Sequence, residues 1–206
     1  GDYDAARREY TLTLSQHTAP TADQPVKRAL PIPLALTLFD AAGKPLPIHL
    51  DGDAIGNAGE QVLLLETATA TFRFLDIDAA PVASLLRGYS APVRLHQDAD
   101  DAALALLVQH DSDGFNRWFA SDALVRRLFA GIIADPRVEP ASLATWTGAL
   151  GTALHDTRID TALAAELLTI ADANSLTDAL LDIDPEAVHA ARTRIERGLA
   201  SALESA

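Results

Sequence analysis

The chain has 206 residues, enough for one large domain or two small ones, and 49% of them are apolar, ample for a packed core. Its 16 basic residues stand against 29 acidic ones, a net charge of -13 that repels phosphate backbones and anionic surfaces and argues against nucleic acid or a membrane as partner. The absence of cysteine excludes disulfides, thiolate zinc sites, iron–sulfur clusters and cysteine nucleophiles, and fits a reducing, cytoplasmic setting.

No apolar run approaches the roughly 18 to 20 residues needed to span a bilayer, and Gly1-Asp2-Tyr3-Asp4 lacks the basic and apolar regions of a secretion signal. A whole translation product begins with methionine and the chain has none, so a processed start or a piece of a longer protein is expected.

Two halves differ in their patterning. Residues 1–97 hold 8 of the 11 prolines and carry 8 basic against 11 acidic groups, net -3; residues 98–206 carry 8 against 18, net -10. The shift predicts a boundary, with a β-sandwich domain over 1–97 and helices over 98–206.

In chain order, Tyr10-Thr11-Leu12-Thr13-Leu14-Ser15-Gln16 alternates apolar and polar, which puts Tyr10, Leu12 and Leu14 on one face of a strand. Ile32 to Phe39 alternates similarly, and Asp40-Ala41-Ala42-Gly43-Lys44 offers a glycine where a hairpin turn needs positive φ, with Leu46–Leu50 as the returning strand. Gln61–Glu66 and Ala70–Leu75 read as two more strands. After Pro81 comes a short turn and then a strand over Ala91–His96. Six or seven short antiparallel strands with proline at their ends predict a sandwich.

The second half opens with Asp98, Asp100 and Asp101 before an apolar run, as expected for carboxylates in a first helical turn. Phe115, Trp118, Phe119, Val125, Leu128 and Phe129 predict one side of a second helix. Leu143, Trp146, Leu150 and Leu154 do so after Pro140, and Leu163, Leu167 and Ile170 after Asp160. Ser175-Leu176-Thr177-Asp178 resembles a capping box, and Asp184-Pro185-Glu186 starts a stripe of Val188, Ala191, Ile195, Leu199 and Leu203. Five or six helices with short joins make an α-helical hairpin array, a truncated α-superhelix whose last helix is interrupted. Such a truncation would leave a continuous apolar patch exposed.

The search for chemistry returns little. A zinc motif of the H-E-x-x-H type needs a glutamate directly after its first histidine; the six histidines are followed by Thr18, Leu50, Gln97, Asp111, Asp156 and Ala190. Glu186 and His189 have the spacing of one arm of a carboxylate-bridged metal site, but also suit a helix N-terminus and a surface histidine. His110-Asp111-Ser112-Asp113-Gly114 lacks the ligand pattern of a calcium loop and reads as a turn in which Ser112 or Asp113 caps the next helix. Asp51-Gly52-Asp53 and Gly56-Asn57 read as turns; Gly52, Gly56 and Gly59 lack the lysine and strand-to-helix context of a phosphate loop. There is no G-x-S-x-G elbow, and nothing singles out a serine near His155 or His189. Arg126, Arg127, Arg192, Arg194 and Arg197 read as solvated helix faces.

The order of segments is informative where single motifs are not. Glu9–Gln16, Ile32-Pro33-Leu34, Phe39–Lys44 and Thr71-Phe72-Arg73-Phe74 resemble the β-sandwich that follows the catalytic domain in the aminopeptidase N family, with Ser90-Ala91-Pro92-Val93-Arg94-Leu95 similar to its closing strand. Asp113–Trp118, Ile159–Leu168 and Asp182-Ile183-Asp184-Pro185 resemble helices early in that family's C-terminal domain.

The resemblance implies a zinc exopeptidase that removes N-terminal residues from peptides, to which these residues contribute the third domain and the start of the fourth. It transfers no catalytic, cofactor-binding or metal-binding residue to this chain, and the implied zinc belongs to the preceding domain. The implied partners are the catalytic and remaining helical domains of the same polypeptide, with peptides as substrates of the whole enzyme. Two other readings stay open: an autonomous peptide- or carbohydrate-binding sandwich with a helical appendage, and a hydrolase built from dispersed residues.

Overall fold

The strands, in chain order, are β1 (Asp2–Asp4), β2 (Glu9–Ser15), β3 (Ile32–Phe39), β4 (Pro47–Ile48), β5 (Asn57–Ala58), β6 (Glu60–Leu65), β7 (Thr69–Phe74) and β8 (Val82–Leu85). They are followed by helices α1 (Asp101–His110), α2 (Gly114–Ala134), α3 (Ala141–Leu154), α4 (Thr161–Leu168), α5 (Ala173–Thr177) and α6 (Pro185–Glu204). This computed structural model describes residues 1–53, 57–137, 141–177 and 184–204; the chain divides into two units, Gly1–His96 and Gln97–Ala206.

The first unit is a sandwich of two three-stranded antiparallel sheets, β1-β2-β7 and β6-β3-β8. Period-two alternation sets β2 and β7 in register, Tyr10 opposite Phe74 and Leu12 opposite Phe72, so their apolar side chains meet on one face. The Tyr10 and Phe74 rings lie 5.9 Å apart. Leu34, Leu36 and Leu38 of β3 face them, joined by Leu63, Leu85 and Ile48 in one cluster. β3 is central, and all of Leu34–Phe39 is buried: its second face, Ala35, Thr37 and Phe39, is covered too.

Three strand expectations need correction. Leu46–Leu50 returns along β3 only at its start, where Phe39 bridges Pro45 and Leu46 N–H binds Leu38 O at 2.8 Å; β6 and β8 pair with the rest of β3, Pro47–Ile48 pairs with β5, and Leu50 bridges Phe74. The turn itself forms as expected, with Gly43 at φ 74° and Asp40 N–H bonded to Lys44 O at 2.9 Å. Residues Ala91–His96 form no strand, although Ala91, Val93 and Leu95 still cover the core. Pro92 lacks an N–H, and the nearby Ser90 Oγ accepts the Ala35 N–H at 3.0 Å. The third strand of that sheet is Val82–Leu85, expected as a turn: buried Ala83, Ser84 and Leu85 show no alternation, so it carries no period-two signal.

In the second unit, helix starts are written by aspartates. Asp100, Asp113 and Asp160 each accept a backbone N–H three residues on, at 2.8, 2.9 and 2.7 Å. Helix α1 packs on α2 and α3, and α6 packs on α2 and α3 through Val188, Ala191, Ile195 and Leu199. Gly198 lets α6 approach α3, since a Cβ there would stand 2.8 Å from Leu143 Cδ2.

Two helix expectations shift. In α2, Val125, Leu128 and Phe129 are buried as expected, together with Arg117, Ala120, Leu124 and Ile132, while Phe115 is exposed and Trp118 and Phe119 are half-buried. Ser175 does not cap α5 but lies inside it; Asp172 Oδ1 accepts the Ser175 N–H at 3.0 Å and does the capping. Gly56, Pro140, Asp178, Asp182 and Ile183 fall outside the described residues.

Candidate functional site

The histidines and carboxylates that invite a catalytic reading are separated by the fold. Glu186 and His189 are both exposed on α6. In the turn before α2, Asp111 is buried and its Oδ1 accepts the Asp113 N–H at 2.9 Å, while Asp113 caps the helix; these carboxylates organise backbone. His155 Nδ1 sits 2.7 Å from Gly151 O at the end of α3. His49 Nδ1 lies 3.1 Å from Asp76 Oδ2, a two-membered pair at the surface of the sandwich. Asp51 pairs with Arg73, and Asp53 N–H closes a turn onto Leu50 O at 3.0 Å. Among the described residues, no group of three His, Cys, Asp or Glu side chains is placed to hold a metal ion.

Of the arginines expected on solvated helix faces, Arg126, Arg127, Arg192 and Arg194 have partners among the described residues. Arg126 pairs with Asp122, Arg127 with Asp101 and with Ala99 O, Arg192 with Glu196, and Arg194 Nη1 donates to Pro136 O at 2.8 Å. The hydrogen bond from Arg127, then one from Ser142, holds the Asp101 carboxyl below the usual range.

The strongest polar constellation is one that helical periodicity did not single out. Arg117, with its side chain 3% exposed, donates from Nε to Asp111 O at 2.6 Å and from Nη2 to Gln109 O at 2.9 Å and Asp156 Oδ2 at 2.6 Å. Arg158 approaches the same carboxylate from outside, Nη2 to Oδ2 at 2.8 Å. Hydrogen bonds from Arg158, and secondarily from Arg117, push the Asp156 carboxyl far below the ordinary range. One guanidinium thus ties the α1–α2 turn to the α3–α4 turn. A second buried tie joins α2 and α3, where Trp146 Nε1 donates to Ser121 Oγ at 2.8 Å.

Between the end of α4 and the outer side of α6 lies a groove of about 450 Å³, lined by Leu168, Ile170, Leu199 and Leu203 with Arg192 and Glu196. Arg192 Nε there is buried without a hydrogen-bond partner among the described residues. A second cavity lies in the loop between β2 and β3.

The same two-part layout is found in known proteins. Residues 1–98 match a family model described as a domain of unknown function (DUF3458) with an Ig-like fold, and residues 101–206 match its companion DUF3458_C, described as ARM repeats. Aminopeptidase N of Escherichia coli (strain K12) is 35% identical over 204 residues, which is 98% of this chain and 23% of that protein. The chain belongs to the aminopeptidase N family.

Aminopeptidase N of Haemophilus influenzae is 30% identical over 204 residues, again 98% and 23% of the two chains. That of Caulobacter vibrioides is 38% identical over 140 residues, 68% of this chain and 16% of the relative. A crystal structure of Legionella pneumophila aminopeptidase A in complex with aspartic acid has the same fold, with a TM-score of 0.75 at 23% identity over 99% of this chain and 22% of that one. This aminopeptidase N family chain therefore spans less than a quarter of the length of the curated relatives it matches. No helix among the described residues is long and apolar enough to cross a membrane.

Proposed function

We propose that this chain is a non-catalytic, shape-giving part of a zinc-dependent aminopeptidase that removes N-terminal residues from peptides. In this reading the sandwich is the third domain and the helices are the start of the fourth. Their partners are the catalytic and remaining helical domains of the same polypeptide, in a cytoplasmic setting. The observation that carries it is the colinear likeness, through both units, to one stretch amounting to 23% of Aminopeptidase N.

The physical case rests on stiffness. Capped starts firm up the individual helices, while the buried Arg117–Asp156 tie and the close α3–α6 approach at Gly198 fix one helix against another. A stiff array can hold a peptide path at a set width, a task that needs geometry and no reacting group. In this reading the metal and its activated water are supplied by the remainder of the enzyme; among the described residues no three candidate ligands converge.

The test is direct. The isolated 206-residue chain, supplied with zinc, is expected to release no amino acid from a peptide substrate above the buffer rate, whereas the whole enzyme turns over. Turnover by the isolated chain that is lost on chelation overturns the assignment.

A further inference from the structure

The stretch between β2 and β3 joins two sheets with 16 residues of almost no regular structure, far longer than most connections in compact domains. Its ends are nonetheless fastened together. Gln16 Oε1 accepts the Leu30 N–H at 2.9 Å, and Gln16 Nε2 donates to Leu30 O at 2.8 Å and Thr67 O at 3.1 Å. Gln16 N–H also binds Ala68 O at 2.9 Å, which fixes the loop to the β6–β7 turn. Inside the loop, Thr21 and Gln24 exchange backbone hydrogen bonds at 3.2 and 3.0 Å. The result has the joined ends and the length of an Ω-loop, with Gln16 and Lys27 half-buried and the residues between them exposed.

The loop surrounds an open surface pocket of about 310 Å³, the lower end of the range for small-ligand pockets. His17, Lys27 and Arg28 line it together with Pro20, Pro25 and Val26. The chemistry is opposite to that of the chain as a whole: three groups able to carry positive charge converge in a protein of net charge -13. Lys27 Nζ is held by two neutral oxygens, Thr21 Oγ1 at 2.9 Å and Gln24 Oε1 at 2.8 Å, so its position is fixed and its charge is not cancelled. None of the ion pairs among the described residues uses His17, Lys27 or Arg28. The loop's only carboxylate, Asp23, takes its hydrogen bond from Thr21 and does not line the cavity.

From this geometry we infer that the loop is a binding site for an organic carboxylate with a short apolar body. Arg28 supplies a planar fork that matches a carboxylate in a bidentate way. Lys27 adds a positioned point charge. Pro20, Pro25 and Val26, the last 78% exposed, offer apolar surface beside the charges that a bare inorganic anion cannot use. The site stands on the loop alone and is independent of the scaffold reading.

The test follows backbone amide signals of the full 206-residue chain by NMR while N-acetyl-leucine, N-acetyl-leucinamide or inorganic phosphate is added. N-acetyl-leucine is expected to give saturable shifts confined to residues 16–30 and Ala68. The amide is expected to give none there, and phosphate a weaker response. Arg28→Gln should weaken N-acetyl-leucine binding by about tenfold through loss of a charge-assisted pair, with Arg28→Lys in between. Arg28 is exposed and makes no contact that closes the loop, so the unliganded loop signals of both variants should match those of the parent chain. No saturable shift, equal shifts with acid and amide, equal affinity for phosphate, or an Arg28→Gln variant that binds as before would each overturn the proposal.

Discussion

The sandwich and the helical unit solve the same backbone problem in opposite ways, and the difference explains where the charge lies. In the sandwich, neighbouring strands satisfy most backbone groups of the central strands β2 and β3, and the space between the sheets is filled almost wholly by apolar side chains. A helix satisfies its own middle and leaves its ends bare. The helical unit therefore places Asp100, Asp113, Asp160, Asp172 and Asp184 where side chains must accept N–H groups. Five of the 18 acidic residues of 98–206 are accounted for in this way, as helix-starting hardware with no need of a ligand.

The two tryptophans, Trp118 and Trp146, both lie in the helical unit, so tryptophan fluorescence reports on that unit. The largest expected effect is on the apolar side of the comparison. Leu36→Ala, at a fully buried β3 position, should cost about 3 kcal/mol by loss of burial plus a cavity, seen as faster hydrogen exchange across β3, β6 and β8. Equal loss of protection throughout the helices would mean that the two units do not unfold separately.

On the polar side, Asp156→Ala leaves the Arg117 guanidinium buried without its anion and should cost roughly 3 kcal/mol, read as a lower urea midpoint of tryptophan fluorescence. The contrasting variant is Arg158→Ala: that side chain is 65% exposed and should cost well under about 1 kcal/mol. Similar costs for the two would remove the distinction between buried tie and surface pair.

Acid should separate the units further. Asp156, Asp101 and Asp172 have folded pKa values below their unfolded ones, so their stabilisation is complete above about pH 4 and is lost as pH falls through the folded values. In the sandwich the one carboxyl so lowered among the described residues is Asp23, fully exposed in its loop. Tryptophan fluorescence should accordingly move at higher pH than the strand signal in circular dichroism. Most local of all, Asp100→Ala should cost about 1 kcal/mol and fray only the start of α1, measured by exchange at Ala103 and Leu104.

What could be read from sequence follows the range of the interactions involved. β2 and β7 were legible because one face is wet and one dry, and α1, α4 and α6 because a cap precedes a 3.6-residue stripe. β8 was not, since a strand buried on both faces has no alternation to read. Ser175 misled because a capping-box pattern also fits the inside of a helix whose cap, Asp172, lies three residues earlier. For function, the order of many weak segments pointed to the family, while the histidines and carboxylates pointed nowhere. His17, Lys27 and Arg28 carried no motif; a basic cluster in the proline-bearing gap between two strands was the available signal.

By itself, then, the sequence determined the elements whose pattern repeats within one strand or helix, the exclusion of thiol chemistry, and the family likeness. Tertiary structure alone decided that β3 takes β6 and β8 as neighbours, that Arg117 meets a carboxylate 39 residues away, and that Gln16 closes a loop onto Leu30. The physical reason is that periodicity and capping are settled among residues a few positions apart. A strand edge, a buried guanidinium and a folded loop each need a partner that only the packed chain brings within hydrogen-bond reach.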